Sequence, residues 1–239
     1  ATDYSIRSYF GRINYIFDDR HLFEVNLRCD GSSKFSPDNR WGVFPSVSYG
    51  WKVSKEPFWE DLLPVISDLK VRLSWGQLGN QGIDNYTWQS VYSPYNHNFG
   101  GAIVKGVAPL AKSNDDITWE TTDVFNTGVD FKLFENVNIT FDYYDKYTHG
   151  ILANIPIPFV NGGLTPPLLN SAAIRNSGIE TEIGYKTSIR DLSISVNING
   201  SLNKNAIEKY KGNYIEPHGS LAGVWTEGQP LGVFWLREI

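Results

Sequence analysis

Residues 192–199 read LSISVNIN, and this short stretch decides the fold. Leu192, Ile194, Val196 and Ile198 alternate with serine and asparagine. Successive side chains of a β-strand point to opposite faces of the sheet, so a period of two collects the apolar residues on one face. The stretch predicts a strand with one apolar face and one polar face.

The same alternation recurs along most of the chain, and it predicts an all-β fold. With loose boundaries, we expect strands near 5–18, 21–31, 40–54, 67–78, 117–134, 136–152, 174–189 and 192–204, and a ninth near 230–239. Strands of soluble proteins usually have about 5–6 residues, whereas a tilted transmembrane strand needs about 9–11. Strand length therefore favours a sheet that crosses a membrane.

The connections between these strands are alternately short and long. Tight turns are expected at Asp18-Asp19-Arg20, Glu135-Asn136 and Arg190-Asp191. Long connections are expected at 31–40, 79–116, 153–173 and 205–229. Segment 55–66 falls on the short side, with one helical turn that begins at Pro57 and ends near Pro64. This order is typical of an antiparallel up-and-down transmembrane barrel with short periplasmic turns and long outer loops.

Composition excludes several other classes of protein. The formal net charge is only −5, so a nucleic-acid partner is not expected. Cys29 is the one cysteine, which excludes a disulfide framework and a cysteine-rich metal site. No apolar run reaches the 18 or so residues of a transmembrane helix, so a membrane would have to be crossed by strands. Nothing at the start of the sequence resembles a signal peptide.

A second fold is consistent with the same alternation if the apolar face of the sheet is buried in a protein core instead of facing lipid. A soluble carbohydrate-binding β-sandwich packs the apolar faces of two sheets together and exposes polar faces on both sides. Aromatic residues cluster near the strand ends, including Phe10, Trp41, Trp75 and Trp119, as in the interfacial girdle of a membrane barrel. Core residues of a sandwich would also produce this clustering, so periodicity leaves both folds open.

Longer segments resemble the barrel of the SusC/RagA-type TonB-dependent transporters of the bacterial outer membrane. The segments that carry this resemblance are SYFGRINY (8–15), LRCDGSSKF (27–35), RWGVFPSVSYGWKVS (40–54), LKVRLSWGQLGNQ (69–81), ITWETTDVFNTGVDF (117–131), FDYYDKYTHGIL (141–152) and NSGIETEIGY (176–185). GQPLGVFW at 228–235 is also similar to the family. Cys29 stands where the family tends to have an aromatic residue, and SAAIRNSG at 171–178 matches only loosely.

The resemblance implies a bacterial outer-membrane protein in a lipid bilayer, without a cofactor. Such a transporter imports a glycan, an oligosaccharide or a peptide, works with a SusD-like surface lipoprotein and is driven through TonB. Its barrel has about 22 strands. We therefore expect residues 1–239 to be a fragment of the barrel domain that carries eight or nine strands, without the plug domain and without a signal peptide. A passive porin or adhesive barrel without energy coupling remains the alternative from another functional class.

Candidate binding residues lie in the longest connection. Segment 79–116 carries Tyr86, Trp88, Tyr92 and Tyr95 among asparagine, serine and glycine, a mixture suited to contact with sugar rings or peptides. Packing of the loop on itself explains the same composition. A metal site is not expected, because Asp115, Asp116 and Glu120 lack ligand spacing and resemble a solvated acidic cluster. The chain is not expected to be an enzyme, because its four histidines are scattered and it contains no catalytic motif.

Overall fold

The computed structural model describes residues 3–109, 113–155, 160, 165–212 and 225–233, and most of these residues form β-strands. The strands are β1 (Ile6–Phe17), β2 (His21–Ser32), β3 (Trp41–Lys52), β4 (Ile66–Asn80), β5 (Tyr92–Phe99), β6 (Ala102–Pro109), β7 (Glu120–Leu133), β8 (Val137–Asn154), β9 (Leu168–Ile189) and β10 (Leu192–Tyr210). Short 3₁₀ helices span Pro37–Asn39, Val53–Lys55 and Pro57–Leu62. Among the helices described, none has the length and apolar character of a membrane span. The all-β prediction is confirmed.

Eight strands form one antiparallel sheet in the order β1-β2-β3-β4-β7-β8-β9-β10. Each strand pairs with its neighbour in the chain, except that β7 pairs with β4. Strands β5 and β6 form a separate two-stranded hairpin that lies within the β4 to β7 connection. This is the up-and-down order that the alternating connections predict.

Cross-strand rows of apolar side chains cover one face of the sheet. One such row contains Ile13, Val25, Val47, Trp75 and Phe125, which are direct partners on β1, β2, β3, β4 and β7. All five side chains are exposed, from 39% for Trp75 to 71% for Ile13. Within the described ranges no second sheet packs on this face, so the sheet lacks the second layer that the soluble β-sandwich alternative requires.

The three tight turns lie at one end of the sheet, as expected. Phe17 pairs with His21, Leu133 with Val137, and Ile189 with Leu192, which leaves only two or three residues in each turn. The backbone enters the left-handed region in all three turns, at Asp18, Asp19, Phe134, Glu135 and Arg190. Reversal within so few residues requires such dihedrals, and aspartate tolerates them better than most other residues.

The β3 to β4 connection folds back at the same end. Its 3₁₀ helix begins at Pro57, as predicted, and ends at Leu62, just before Pro64. Proline suits the first helical turn because its missing N–H has no partner there. The Trp51 indole donates to Glu56 Oε1 at 2.9 Å, and Arg20 Nη1 donates to Glu56 Oε2 at 2.8 Å. The connection is thus anchored to β3 and to the turn between β1 and β2.

Acidification is expected to loosen this end of the sheet. The Trp51 indole and the Arg20 guanidinium lower the pKa of Glu56, and hydrogen bonds from Lys55 and Lys52 lower the pKa of Asp19. A lowered carboxyl pKa stabilises the fold above the ordinary value of about 4, and this stability is lost as pH falls through the folded value. Amide exchange at 53–58, corrected for its intrinsic rate, should therefore accelerate below about pH 4. The variant Glu56→Gln should lose much of this dependence, and an unchanged pH profile would contradict the assignment.

Strands extend further at the opposite end than the sequence pattern predicts. Strand β9 begins at Leu168 instead of near 174, and β10 ends at Tyr210 instead of near 204. The ninth strand predicted at 230–239 is wrong where it is described, because residues 231 and 232 form a turn with Gly232 at a φ of 87°. Residues 234–239 lie outside the described part of the chain.

The predicted long connection 79–116 contains the hairpin of β5 and β6, which the pattern analysis did not identify. Phe99 pairs with Ala102, so Gly100 and Gly101 alone make the turn. Their φ values are 61° and 90°, a conformation that favours glycine. A Gly-Gly pair between two extended runs is a known hairpin signal and was available in the sequence.

Candidate functional site on the polar face and in the long connections

The polar face of the sheet carries an ion-paired network across three strands. Arg72 on β4 donates from Nε and Nη2 to the two carboxylate oxygens of Asp130 on β7, at 2.7 and 2.9 Å. The same Nη2 lies 3.1 Å from Oδ2 of Asp142 on β8. A bidentate arginine–carboxylate pair fixes geometry as well as charge. This face of the sheet is therefore polar, and its charged side chains are held in place by ion pairs.

Gly128 on β7 makes this network possible. A Cβ at this position would lie 2.2 Å from Asp142 Oδ1 and 2.7 Å from Arg72 Nη2. Both side chains cross directly over the Gly128 backbone, so only glycine leaves them room. Close approach to side chains of neighbouring strands is the structural reason for this glycine.

A small hydrophobic cluster, the loop cluster, lies at the long-connection end of the sheet. Its buried members are Phe35, Phe44, Ile83, Ile117 and Trp119. The Trp119 ring lies 5.0 Å from the Phe35 ring and 5.5 Å from the Phe44 ring, measured between centroids. Phe44 lies on β3, and the other members come from the β2–β3, β4–β5 and β6–β7 connections. The loop cluster therefore holds these three connections together.

Polar contacts fix the same connections to one another. The Trp119 indole donates to the Arg40 carbonyl at 3.0 Å, and Lys34 Nζ donates to the Ile83 carbonyl at 2.7 Å. The Asn170 amide donates to the Gly150 carbonyl at 2.6 Å, where β8 bulges. Backbone groups in irregular segments need such partners when they are withdrawn from water. The connections at this end of the sheet are thus ordered by specific hydrogen bonds.

The hairpin presents a row of aromatic rings on one face, which we call the hairpin ladder: Tyr95, His97 and Phe99. Their neighbouring centroids are 5.2 and 6.3 Å apart. The cross-strand partners of Tyr95 and Phe99 are Gly106 and Ala102. Because these partners are small, both rings remain exposed, and they are available to stack on a ligand.

The four predicted binding residues occupy different environments. Trp88 packs against the loop cluster, so its ring contributes to the fold of the connection. Tyr86 adopts a φ of 66° and donates from its hydroxyl to the Asp3 carbonyl at 3.1 Å. Tyr92 and Tyr95 are well exposed on the hairpin, on opposite faces of β5. His97 and Phe99 join Tyr95, and sequence reasoning missed this grouping because it depends on recognising the strand.

The acidic residues near 115–120 have structural partners. Glu120 accepts hydrogen bonds from Asn80 Nδ2 and from the Leu152 N–H, and the Asp115 carbonyl accepts one from the Ser36 hydroxyl. In the part of the chain that the structure describes, no three His, Cys, Asp or Glu side chains come together as a metal site. Among the described residues at this end, His149 Nε2 lies 3.2 Å from Asp123.

The family described as TonB dependent receptor-like, beta-barrel matches residues 1–232. The chain belongs to this family. It is therefore part of an outer-membrane β-barrel, and its apolar face is the one that faces lipid. Membership in a family of receptors also confirms that the chain is not an enzyme.

Two relatives and one solved structure show how far the similarity of this TonB-dependent receptor barrel extends. The chain is 38% identical to the TonB-dependent receptor SusC of Bacteroides thetaiotaomicron, over 89% of this chain and 22% of the relative. It is 33% identical to the TonB-dependent receptor P39 of Formosa agariphila, over 100% of this chain and 23% of the relative. The RagAB peptide importer in its closed-closed state superimposes with a TM-score of 0.84 and 26% identity, over 97% of this chain and 25% of the importer chain.

These similarities confirm the resemblance to SusC/RagA-type transporters and the prediction of an antiparallel barrel wall. The chain spans about a quarter of the length of the relatives it matches. Transport, substrate and partner are properties of the complete proteins.

Proposed function

We propose that the chain forms part of the wall of a TonB-dependent transporter that imports glycans, oligosaccharides or peptides with a SusD-like surface lipoprotein. The observation that carries the proposal is the match to the receptor barrel over residues 1–232. The SusC receptor and the RagAB peptide importer are similar to this chain along most of its length, which favours this type of import over other uses of the barrel. TonB would supply the energy through parts of the protein outside this sheet.

We infer further that residues 1–239 are a fragment of a barrel domain of about 22 strands. The sheet supports this inference, because closure is the way in which strands satisfy every backbone group in hydrocarbon. Beyond β10, the Ile207 N–H donates to the Gln229 carbonyl at 2.9 Å, and the Gly228 N–H donates to the Ile207 carbonyl at 2.8 Å. These two hydrogen bonds attach the turn at 226–229 to the edge of β10 that faces away from β9.

Energy dependence separates this proposal from a passive porin or an adhesive barrel. Cells that carry the complete protein would be supplied with labelled oligosaccharide or peptide, with and without collapse of the inner-membrane proton gradient. Uptake through a TonB-dependent transporter should stop when the gradient collapses or when TonB is deleted. Uptake that continues unchanged in both conditions would favour the porin, and adhesion without uptake would favour the adhesive barrel.

The exposed aromatic residues of the hairpin are the proposed substrate contacts within this chain. A stacking contact contributes about 0.5–1.5 kcal/mol, which corresponds to an increase of about two- to twelve-fold in the concentration for half-maximal uptake when the ring is removed. Tyr95→Ala is expected to show this increase. Val107→Ala is the matched control, because Val107 is similarly exposed on the opposite face of the same hairpin. Equal behaviour of the two variants would contradict a substrate contact at Tyr95.

A further inference from the structure

A hollow of about 1260 Å³ lies on the polar side of β1 to β4, and we call it the lumenal hollow. Phe44 and Trp119, two members of the loop cluster, line its outer end. Its floor consists of small cross-strand partners on β3 and β4: Ser46 with Gly76 and Ser48 with Ser74. Ligand pockets usually have about 300–1,000 Å³, so the lumenal hollow has room for several units of a polymer.

Strand register places the lumenal hollow on the inside of the barrel wall. One row of direct partners crosses β1, β2, β3 and β4: Arg12, Asn26, Ser46 and Gly76. Gly76 lies four residues after Arg72, and an even separation keeps both on the polar face. Phe10 precedes Arg12 by two residues and Leu78 follows Gly76 by two, so both side chains also point to the polar face.

Exposed apolar side chains are concentrated in the lumenal hollow. The large exposed apolar residues on the polar face of the described strands are Ile6, Phe10, Ile16 and Leu78. All of them except Ile16 line the lumenal hollow, and Phe10 is 83% and Leu78 64% exposed. Single exposed apolar residues are normal, but a group of them with a polar rim marks a binding groove.

The charged side chains of the lumenal hollow balance one another. Arg28 Nε donates to Asp30 Oδ2 at 2.6 Å. Arg12 Nε donates to Asn26 Oδ1 at 2.6 Å and lies 4.0 Å from Glu24 Oε1. Two guanidinium groups thus accompany two carboxylates, and the lining does not select an anionic or a cationic polymer. Selection is left to apolar contact and hydrogen bonding.

The combination of side chains suits a peptide better than a glycan. The serine hydroxyls of the floor can donate to and accept from the amide groups of a peptide backbone. Ile6 and Leu78 are aliphatic, and they gain free energy when they contact apolar side chains. A glycan carries hydroxyl groups along its whole length, and these lose water without compensation against aliphatic groups. An extended peptide with apolar side chains therefore fits this lining.

The spacing of the two most exposed contacts also matches an extended peptide. Phe10 and Leu78 both lie two positions beyond the row from Arg12 to Gly76, so they are at the same level on β1 and β4. Three spacings between neighbouring strands separate them by about 14 Å. In an extended chain, side chains four positions apart point the same way and are about 13 Å apart.

We propose that the lumenal hollow binds an extended peptide on its way through the barrel, and that Phe10 and Leu78 contact apolar side chains four positions apart. This inference rests on the proposed transport function and deepens it, because it selects peptides from the substrate classes considered. Phe10 and Leu78 are then specificity-determining residues of the wall.

Peptide binding by the purified complete protein tests the proposal. Two fluorescent peptides of about twelve residues would differ only at two positions four apart, with leucine in one peptide and serine in the other. Fluorescence polarisation would measure the affinities. We expect tighter binding of the leucine peptide, and a loss of about ten-fold for this peptide alone in the Phe10→Ala/Leu78→Ala variant.

Ile13→Ala/Leu73→Ala is the matched control. It truncates exposed apolar residues of the same two strands on the opposite, lipid-facing side, so peptide affinity should not change. Heat-dependent gel mobility would verify that every variant contains a folded barrel. Phe10 and Leu78 are exposed, so their truncation should leave the fold intact.

Three results would overturn the proposal: equal binding of the two peptides by the wild type, unchanged affinities in the Phe10→Ala/Leu78→Ala variant, or equal losses for both peptides. In the last case the two residues would act through the fold or through another part of the protein inside the barrel. Gradient-dependent uptake of an oligosaccharide without peptide binding would refute only the lumenal hollow as a peptide site. Uptake that ignores the gradient would refute the transport function itself.

Discussion

Phe35→Ala is expected to destabilise the outer end of the sheet by about 3–5 kcal/mol, the usual cost of removing a buried phenylalanine ring. Phe35 is 0% exposed, and its ring contacts Trp119 at the centre of the loop cluster. Because the cluster joins three separate connections, the loss should appear as local opening. Amide hydrogen exchange should therefore accelerate in segments 32–40, 81–90 and 113–119, while the membrane-spanning parts of the strands stay protected.

Phe99→Ala is the matched control for this prediction. The substitution removes the same atoms from a ring that is 70% exposed on the hairpin, so little burial is lost. Exchange in the three segments should match that of the wild type. If Phe35→Ala leaves exchange unchanged, or if the whole sheet opens at once, the loop cluster is not the independent unit that the packing indicates.

The strand ends next to the tight turns could be predicted from the sequence, because contact with lipid and short turns both restrict which residues occur there. The first strand was predicted at 5–18 and spans Ile6–Phe17, and the fourth was predicted at 67–78 and spans Ile66–Asn80. A strand with lipid on one face must alternate apolar and polar residues, and a turn of two or three residues fixes where the two adjoining strands end. Both signals are local, so one sequence is sufficient to read them.

The outer ends could not be predicted in this way. Past the lipid band both faces of a strand are wet, so alternation disappears although the hydrogen-bonded ladder continues. Strand β9 starts six residues earlier than predicted, at Leu168, because Leu168 pairs with Asn154 above the band. Residues 118 and 119 were expected in strand β7, but Asn170 and the Arg40 carbonyl bind them instead. Such contacts join residues that are distant in the chain.

The candidate site shows the same limit. Composition identified the aromatic residues of the β4 to β7 connection, but it cannot distinguish a ring that packs inward from one that remains exposed. Trp88 packs against the loop cluster, whereas Tyr95 stands on an open hairpin. The pairing of Arg72 with Asp130 and Asp142 could not be predicted either. Alternation along a strand shows which face a residue lies on, but its neighbours across the sheet depend on the register between strands.

Val196→Arg is expected to destabilise the folded barrel by about 2–4 kcal/mol, the cost of a charged residue on the lipid face near the bilayer midplane. Val196 lies near the middle of the outward apolar run of β10, its partner on β9 is Tyr185, and it is 47% exposed to the lipid side. In hydrocarbon the guanidinium has no water to solvate it, so the cost depends on depth. Urea titration of the complete protein folded into vesicles measures it.

Asn197→Arg provides the control, since the next residue along β10 points to the opposite face. Asn197 pairs with Gly184 on the polar side, where the absence of a side chain on β9 leaves space for a longer residue. An arginine there remains in a wet, polar environment, and the free energy of unfolding should change by less than about 0.5 kcal/mol. The same substitution at two adjacent residues of β10 should therefore destabilise the barrel at one position and not at the other, provided that the apolar row faces lipid. Equal losses at both positions, or a larger loss at Asn197, would mean that the faces of the sheet have been assigned the wrong way round.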